Sequence, residues 1–389
     1  PIVAKKAKSV DTALVTNNFF LNPFRSRWVY TVRAYGNDAH CHRIVKYVEA
    51  GYDQFVEGSR FTEGQPVNWA WADGKDPAPV APTCDETTDK TNLYGLTVIA
   101  YESLFVGLFS IITGKDCVPP RPFGRAGEQD SVFIGYSRDS FHWTRPEPAP
   151  GARRAAFMGM SERLGTWNLQ NVQSGASFLV LDDPASQQAE ASSLRFFVGA
   201  RSGTCRGTAG MSANELADCA LNGNATTGAA DLRRDGFASQ MVDGTGLGDL
   251  VTRPLRFTGK YLFVNVALAR EGELRVEAQT ESGTPLAGFG LADFDSSTVP
   301  RGANSTRLGP LSWAGGRSLA SLAGNLVRLR FELRGKNGHL YSFWISQSTC
   351  GESGGYVAGG GRGYTAATDT RGRCKTDDHA EPAAEGLPA

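Results

Sequence analysis

Apolar and polar residues alternate over short runs along most of this chain, and few stretches repeat at helical spacing. The cleanest period-two segments are Leu274-Arg275-Val276-Glu277-Ala278 and Val327-Arg328-Leu329-Arg330-Phe331-Glu332-Leu333. Apolar residues fall on one face of each and charged residues on the other, the pattern of a strand with one buried and one solvated side. Near the start, Phe19-Phe20-Leu21, the turn Asn22-Pro23-Phe24-Arg25 and residues 27–33 read as a hairpin. Further strands are expected over 43–49, 96–112, 131–136, 172–181 and 194–200. From Thr252 onward short strands follow at 255–257, 261–267, 273–280, 326–333 and 340–345. A short segment, 212–221, is the one helical candidate.

One stretch organises the rest. Residues 130–146, DSVFIGYSRDSFHWTRP, hold a short apolar run, Val132-Phe133-Ile134-Gly135-Tyr136, which reads as a buried strand and breaks at Ser137-Arg138-Asp139-Ser140. Asp and Ser favour a tight turn there because their side chains bond nearby backbone N–H groups. Phe141 and Trp143 then supply bulk to plug the corner. The same Arg-Asp-small-Phe string returns at Arg234-Asp235-Gly236-Phe237. A recurring outer-edge turn is what a radial β repeat leaves in sequence. The expected fold class is therefore all-β: a β-propeller over residues 1–249 with about three blades visible, then an antiparallel β-sandwich over 250–347. Residues 348–389 are too rich in glycine to build a core and read as a tail or wrapped arm.

Composition narrows the function classes. In 389 residues, Lys+Arg and Asp+Glu are equal at 40 each, so charge gives no case for nucleic acid or an anionic membrane surface. No apolar run approaches the roughly 20 residues of a membrane span. The seven cysteines suggest three staples around irregular segments: Cys205 with Cys219, Cys350 with Cys374, and Cys84 with Cys117, leaving Cys41 over. Two sequons, at Asn224 and Asn304, lie in loop-like sequence and are candidate glycosylation sites. Together these point to a secreted or extracellular protein. The chain starts at Pro1, so processing or truncation is assumed.

Several segments together resemble a known family. They are Asn22-Pro23-Phe24-Arg25 with Trp28-Val29-Tyr30, Tyr101-Glu102-Ser103-Leu104 with Gly107-Leu108-Phe109, Ser137-Arg138-Asp139 with Phe141-His142-Trp143, and Asn171-Val172-Gln173-Ser174. The later Gly272-Glu273-Leu274-Arg275-Val276 and Val327-Arg328-Leu329-Arg330-Phe331 belong to the same set. In this order, over most of residues 15–347, they are similar to predicted glycosyl hydrolases with a five-bladed propeller of the arabinanase and fructosidase type, followed by a β-sandwich. Members of that family continue upstream by about two blades. They also carry an acidic Asp-Arg-Ser-Thr run where this chain has Val15-Thr16-Asn17-Asn18.

The resemblance implies glycosidic-bond cleavage by two carboxylates facing each other across the scissile bond. Glu102, in the otherwise apolar run 99–106, is the catalytic candidate, because a buried carboxylate is costly unless paired or functional. The structural alternative is a Glu held by Arg25 or Arg33, both of which are also substrate-binding candidates. Asn171 and Gln173 could bond sugar hydroxyls and Trp167 could stack on a sugar face, or they could serve as caps and core. Asp139 and Asp235 read as turn residues. His40 and His42, and the group Asp85, Glu86 and Asp89, lack the spacing of metal sites, so no metal ligand and no cofactor is expected. Gly159-Met160-Ser161-Glu162-Arg163 fails as a nucleophile elbow because Arg163 stands where a Gly is needed. Two readings stand: a secreted carbohydrate-active hydrolase, or a non-catalytic extracellular protein on the same fold that binds glycan or serves as a structural or assembly protein with a protein neighbour. The expected partners are carbohydrate and either a protein neighbour or an upstream part supplying blades, with no nucleic acid and no membrane span.

Overall fold

The computed structural model describes residues 18–35, 43–51, 66–77, 91–113, 129–161, 166–181, 192–202, 209–212, 225–244, 246–361 and 367–370. Those up to Phe178 and from Phe196 to Ala230 form one compact unit. Those in Leu179–Arg195 and from Asp231 onward form a second.

The first unit begins with the hairpin read from the sequence. β1 (Asn18–Asn22) pairs with β2 (Arg27–Tyr35), which continues to β3 (Arg43–Ala50) and β4 (Val67–Ala70) in one antiparallel sheet. The Asn22 side chain accepts from the Arg25 N–H at 3.2 Å and fixes the turn. A second sheet runs through β5 (Asn92–Glu102), β6 (Leu104–Thr113) and β7 (Gln129–Ser137). Leu93, Leu96, Val98, Phe105, Phe109, Ile111 and Phe133 of this sheet share a core with Val45 and Trp69 of the first. Gly107 and Gly135 stand opposite each other in the β6–β7 ladder. A Cβ at Gly107 would lie 2.5 Å from the Trp143 ring, and one at Gly135 would lie 2.7 Å from the Phe109 ring. The bare backbone is thus the slot into which these two rings pack, edge to face at 5.5 Å. β8 (Gln170–Leu181), β9 (Ser193–Arg201) and β10 (Ala225–Arg233) form a third sheet, with β9 central.

The second unit contains two sheets. One has the order β11 (Gln240–Met241), β17 (His339–Ser346), β13 (Tyr261–Ala267), β15 (Asn304–Leu311). The other has β12 (Leu247–Val251), β16 (Arg328–Arg334), β14 (Glu273–Gln279). Leu262, Val264 and Val266 of β13 share a core with Leu274 and Val276 of β14 and with Leu329 and Phe331 of β16. This is the burial that the period-two alternation requires. Trp313 fills its centre, fully buried, with its indole N–H donating to the Val276 carbonyl at 3.0 Å. Part of the expected tail is ordered against this unit. β18 (Tyr356–Val357) bridges Thr368, and Asp369 is completely buried, held by Arg234 and Arg307 at 3.1 and 3.3 Å.

The five-bladed propeller is not the fold. The chain is all-β, but among the described residues its antiparallel sheets are open and none closes on itself. The Arg-Asp-small-Phe string that suggested a radial repeat forms two different turns. In the first copy the left-handed residue is Ser140, at φ 66°; in the second it is Asp235, one position earlier, at φ 55°. The three-staple disulfide framework is not borne out either. Cys350 is disulfide-bonded, while Cys84, Cys117, Cys205, Cys219 and Cys374 lie outside the described residues, as does Cys41. The helical candidate at 212–221 also falls almost wholly outside them.

Candidate functional site

Two buried polar side chains lie on the adjacent strands β6 and β7. Ser110 stands in Leu108-Phe109-Ser110-Ile111-Ile112, and Asp130 enters β7 opposite Ile112. Asp130 is completely buried and Ser110 nearly so. Such groups are tolerated inside only when hydrogen-bonded. The Ser110 hydroxyl lies 2.9 Å and 3.0 Å from the two carboxylate oxygens of Asp130. Gln173, on β8, donates from Nε2 to Asp130 Oδ2 at 3.0 Å. Three strands of two sheets thus converge on one buried carboxylate.

In front of this cluster is a cavity of about 190 Å³. Asn18 of β1 lines it, with residues 95–97 of β5, Leu108 and Ser110 of β6, and residues 173–176 of β8. Asn18 is tied to Thr31, which receives its backbone N–H at 2.8 Å, while its side-chain Nδ2 is buried without a hydrogen-bond partner. Among the described residues the lining carries amides and hydroxyls from Asn18, Thr97, Ser110, Gln173 and Ser174, and no ionisable side chain. Asp130 sits behind it.

A second buried polar cluster in the same unit is of another kind. Asp76 is paired by Arg145 and by Arg154, the latter at 3.2 Å, and accepts the Asp73 N–H at 2.9 Å. Arg145 lies over the Phe109 ring at 4.5 Å. Burial would raise the Asp73 pKa, but the Arg154 hydrogen bond, the Lys75 N–H and the nearby guanidinium charges bring it below its ordinary value. Here opposite charges neutralise each other and tie residues 73–76 to 145–154, which is a fastening.

Of the catalytic and substrate-binding candidates named from sequence, Gln173 alone lines the cavity. Glu102 is the last residue of β5 and not in the middle of an apolar strand. It forms the two-residue hairpin turn with Ser103 between β5 and β6, half-buried and left-handed at φ 50°. Arg25 pairs with Glu49 at 2.6 Å and lies over the Phe141 ring at 5.4 Å. The adjacent Tyr47 hydroxyl is pushed up by burial and by Glu49, against Arg25. Arg33 stacks on Tyr94 at 4.6 Å. Trp167 is exposed and lies over the backbone of Gly228 in β10. Asn171, the second residue of β8, is in the left-handed region at φ 48°. Asn304 is not in a loop: it opens β15, its side-chain oxygen accepts from Arg233 at 2.6 Å, and Ser305 and Thr306 of its sequon are buried. Asn224, His40, His42, Asp85, Glu86 and Asp89 lie outside the described residues. Among the described residues there is no group of three His, Cys, Asp or Glu side chains that could hold a metal. Nor is any helix among them long and apolar enough to cross a membrane.

Sequence reading missed Ser110, Asp130, Asn18 and Thr97. A signal was present for Ser110, a hydroxyl inside the apolar run Leu108-Phe109-Ser110-Ile111-Ile112; Asp130, flanked by Gln129 and Ser131, carried none.

No family model matches the chain, and no curated protein matches it. Three solved structures show a distant likeness. An N-acetylgalactosamine deacetylase from F. plautii, in complex with blood group B trisaccharide, is 14% identical over 47% of this chain and 40% of that one, with a TM-score of 0.29. A glycosyl hydrolase from Bacteroides ovatus is 14% identical over 48% and 46%, at 0.24. A GH32 β-fructofuranosidase from Bombyx mori is 12% identical over 82% and 65%, at 0.26. The chain therefore spans less than two thirds of the length of each. Likenesses this distant assign neither a fold family nor an activity, and membership in a family of five-bladed-propeller hydrolases is not supported.

Proposed function

We propose that the protein binds carbohydrate in the Ser110–Gln173 cavity and does not cleave it there. The observation that carries this reading is the chemistry of the described lining, whose residues offer neutral hydroxyl and amide groups and no carboxylate. Glycoside hydrolysis ordinarily needs two carboxyl groups about 5 to 10 Å apart, flanking the scissile bond. A few fixed polar groups in a concave, partly apolar site orient a small neutral ligand, and sugar hydroxyls match amide and hydroxyl partners. The volume, below the roughly 300 Å³ at which drug-sized sites begin, suits one sugar ring. The disulfide at Cys350 favours an oxidising setting outside the cytoplasm.

The test is calorimetric titration with D-glucose, D-galactose, D-mannose and D-xylose, beside a reducing-sugar assay on their oligosaccharides. Binding of at least one sugar is expected, weakened about tenfold by Gln173→Ala, which corresponds to the loss of one buried hydrogen bond. No reducing ends should be released. Turnover that disappears in Glu102→Gln would reverse the reading in favour of a hydrolase.

A further inference from the structure

The hydrogen-bonding sense of the cavity wall is set from behind. A carboxylate can only accept, so the single proton of Ser110 points to Asp130, at 2.9 and 3.0 Å. The Ser110 oxygen is left with lone pairs for any other partner. Gln173 must likewise turn its NH₂ group to Asp130, at 3.0 Å, and this fixes the orientation of the amide and of its carbonyl oxygen Oε1. Both residues line the cavity and Asp130 does not. Asp130 is fully buried on the strand behind them, where it cannot turn away to water.

We propose that Asp130 is a specificity-determining positioning residue that makes this wall an acceptor of hydrogen bonds, so that the site selects ligands presenting hydroxyl donors. The ligand class is a neutral sugar with donating hydroxyls at the positions that meet Ser110 and Gln173. A uronate or a sugar phosphate is disfavoured, because its oxygens there would face lone pairs backed by a carboxylate. The partnerless Nδ2 of Asn18 adds one donor to the lining, matched by a ring or ether oxygen. This inference rests on the carbohydrate reading and deepens it.

The experiment takes whichever of the four sugars binds best and titrates its monodeoxyfluoro series, together with D-glucuronate. Fluorine replaces a hydroxyl at similar size but cannot donate. Wild-type protein is expected to lose about tenfold or more at one or two positions, the worth of a buried hydrogen bond, and to bind glucuronate worse than glucose. Asp130→Asn, whose amide can donate to Ser110 and free its proton, is expected to shrink that fluoro penalty toward unity. A wild-type protein indifferent to fluorination at every position overturns the inference and leaves carbohydrate binding standing. So does an Asp130→Asn protein that weakens parent and fluoro sugars by the same factor. If Asp130→Asn does not fold, Ser110→Ala decides, since it removes one acceptor and should erase the penalty at one position; a penalty that persists there counts against the inference. If no sugar binds wild-type protein, the carbohydrate reading falls and takes this inference with it.

Discussion

The same four-residue string, Arg-Asp-small-Phe, occurs at 138–141 and at 234–237, and the two copies are held together by different physics. In the first, Asp139 serves its own turn. Its Oδ1 accepts the N–H groups of Phe141 and His142 at 2.8 Å and the Ser137 hydroxyl at 3.0 Å, all within three residues. Arg138 is exposed. The Ser140 carbonyl receives the indole N–H of Trp69 at 2.8 Å and of Trp143 at 3.0 Å, which docks the finished turn on the aromatic core. In the second copy the side chains reach far along the chain. Arg233, immediately before the string, donates to Asn265 and Asn304 at 2.8 and 2.6 Å and lies over the Tyr341 ring. Arg234 is buried and pairs with Asp369, 135 residues away, and Asp235 accepts from Ser342 at 2.6 Å. One string closes locally and the other acts as an anchor. A short motif whose polar groups can be satisfied either way does not by itself declare a structural repeat.

The largest expected effect separates the copies at their ion pairs. Asp369→Ala removes a fully buried carboxylate facing Arg234 and Arg307. Breaking a buried pair on one side costs about 3–5 kcal/mol, because the remaining charge stays desolvated. Urea denaturation should show the loss, and a variant within 1 kcal/mol of wild type would mean that the second copy is not an anchor. Arg138→Ala, at the matching place in the first copy, should be close to silent.

That asymmetry also explains what could be read from the sequence. The hairpin at 18–35 was legible because its turn, Asn22-Pro23-Phe24-Arg25, is fixed by neighbours. Strands β14 and β16 were legible because apolar and charged residues alternate along them, and β13 because it is a short apolar run. The β5–β6 hairpin was hidden because both arms are apolar, so residues 96–112 read as one group and the turn at Glu102-Ser103 read as a buried acid. Strand β15 was hidden because Asn304-Ser305-Thr306 suggests a loop. Its burial comes from β13, about forty residues earlier, in a ladder with register shifts. The site was half legible: Gln173 was named, but Asp130 and Ser110 gain meaning only when β6, β7 and β8 are brought together, a long-range fact.

A medium effect concerns the local copy and its dependence on pH. Burial raises the Asp139 pKa, but hydrogen bonds from the His142 ring, the His142 and Phe141 N–H groups and Ser137 outweigh it, holding the carboxyl well below its ordinary range. A depressed folded-state pKa contributes stability that is present above the ordinary value of about 3.8 and is lost as pH falls through the lower, folded value. The side chains of Asp139 and His142 are both exposed, so their ion pair is discounted for solvent screening. The cap-like backbone bonds remain, worth about 1 kcal/mol. Asp139→Ala should therefore cost about 1 kcal/mol at neutral pH, and the gap to wild type should close in acid. A gap that widened as pH fell would refute the local reading.

The smallest effect tests the left-handed residue directly. Ser140→Gly relieves a left-handed conformation, φ 66°, worth about 1 kcal/mol, at a similar cost in unfolded-chain entropy. The backbone carbonyl that receives both tryptophans is unchanged, so the net shift should stay within about 0.5 kcal/mol. Asp235→Gly relieves the same kind of conformation, φ 55°, but gives up the charged hydrogen bond from Ser342. That bond is worth about 1.5–3 kcal/mol, and the variant should be destabilised by more than 1 kcal/mol. Paired melting curves of the two glycine variants measure the difference. Equal shifts would mean that the two copies are one kind of turn, because only an anchor loses a distant partner when its side chain is removed.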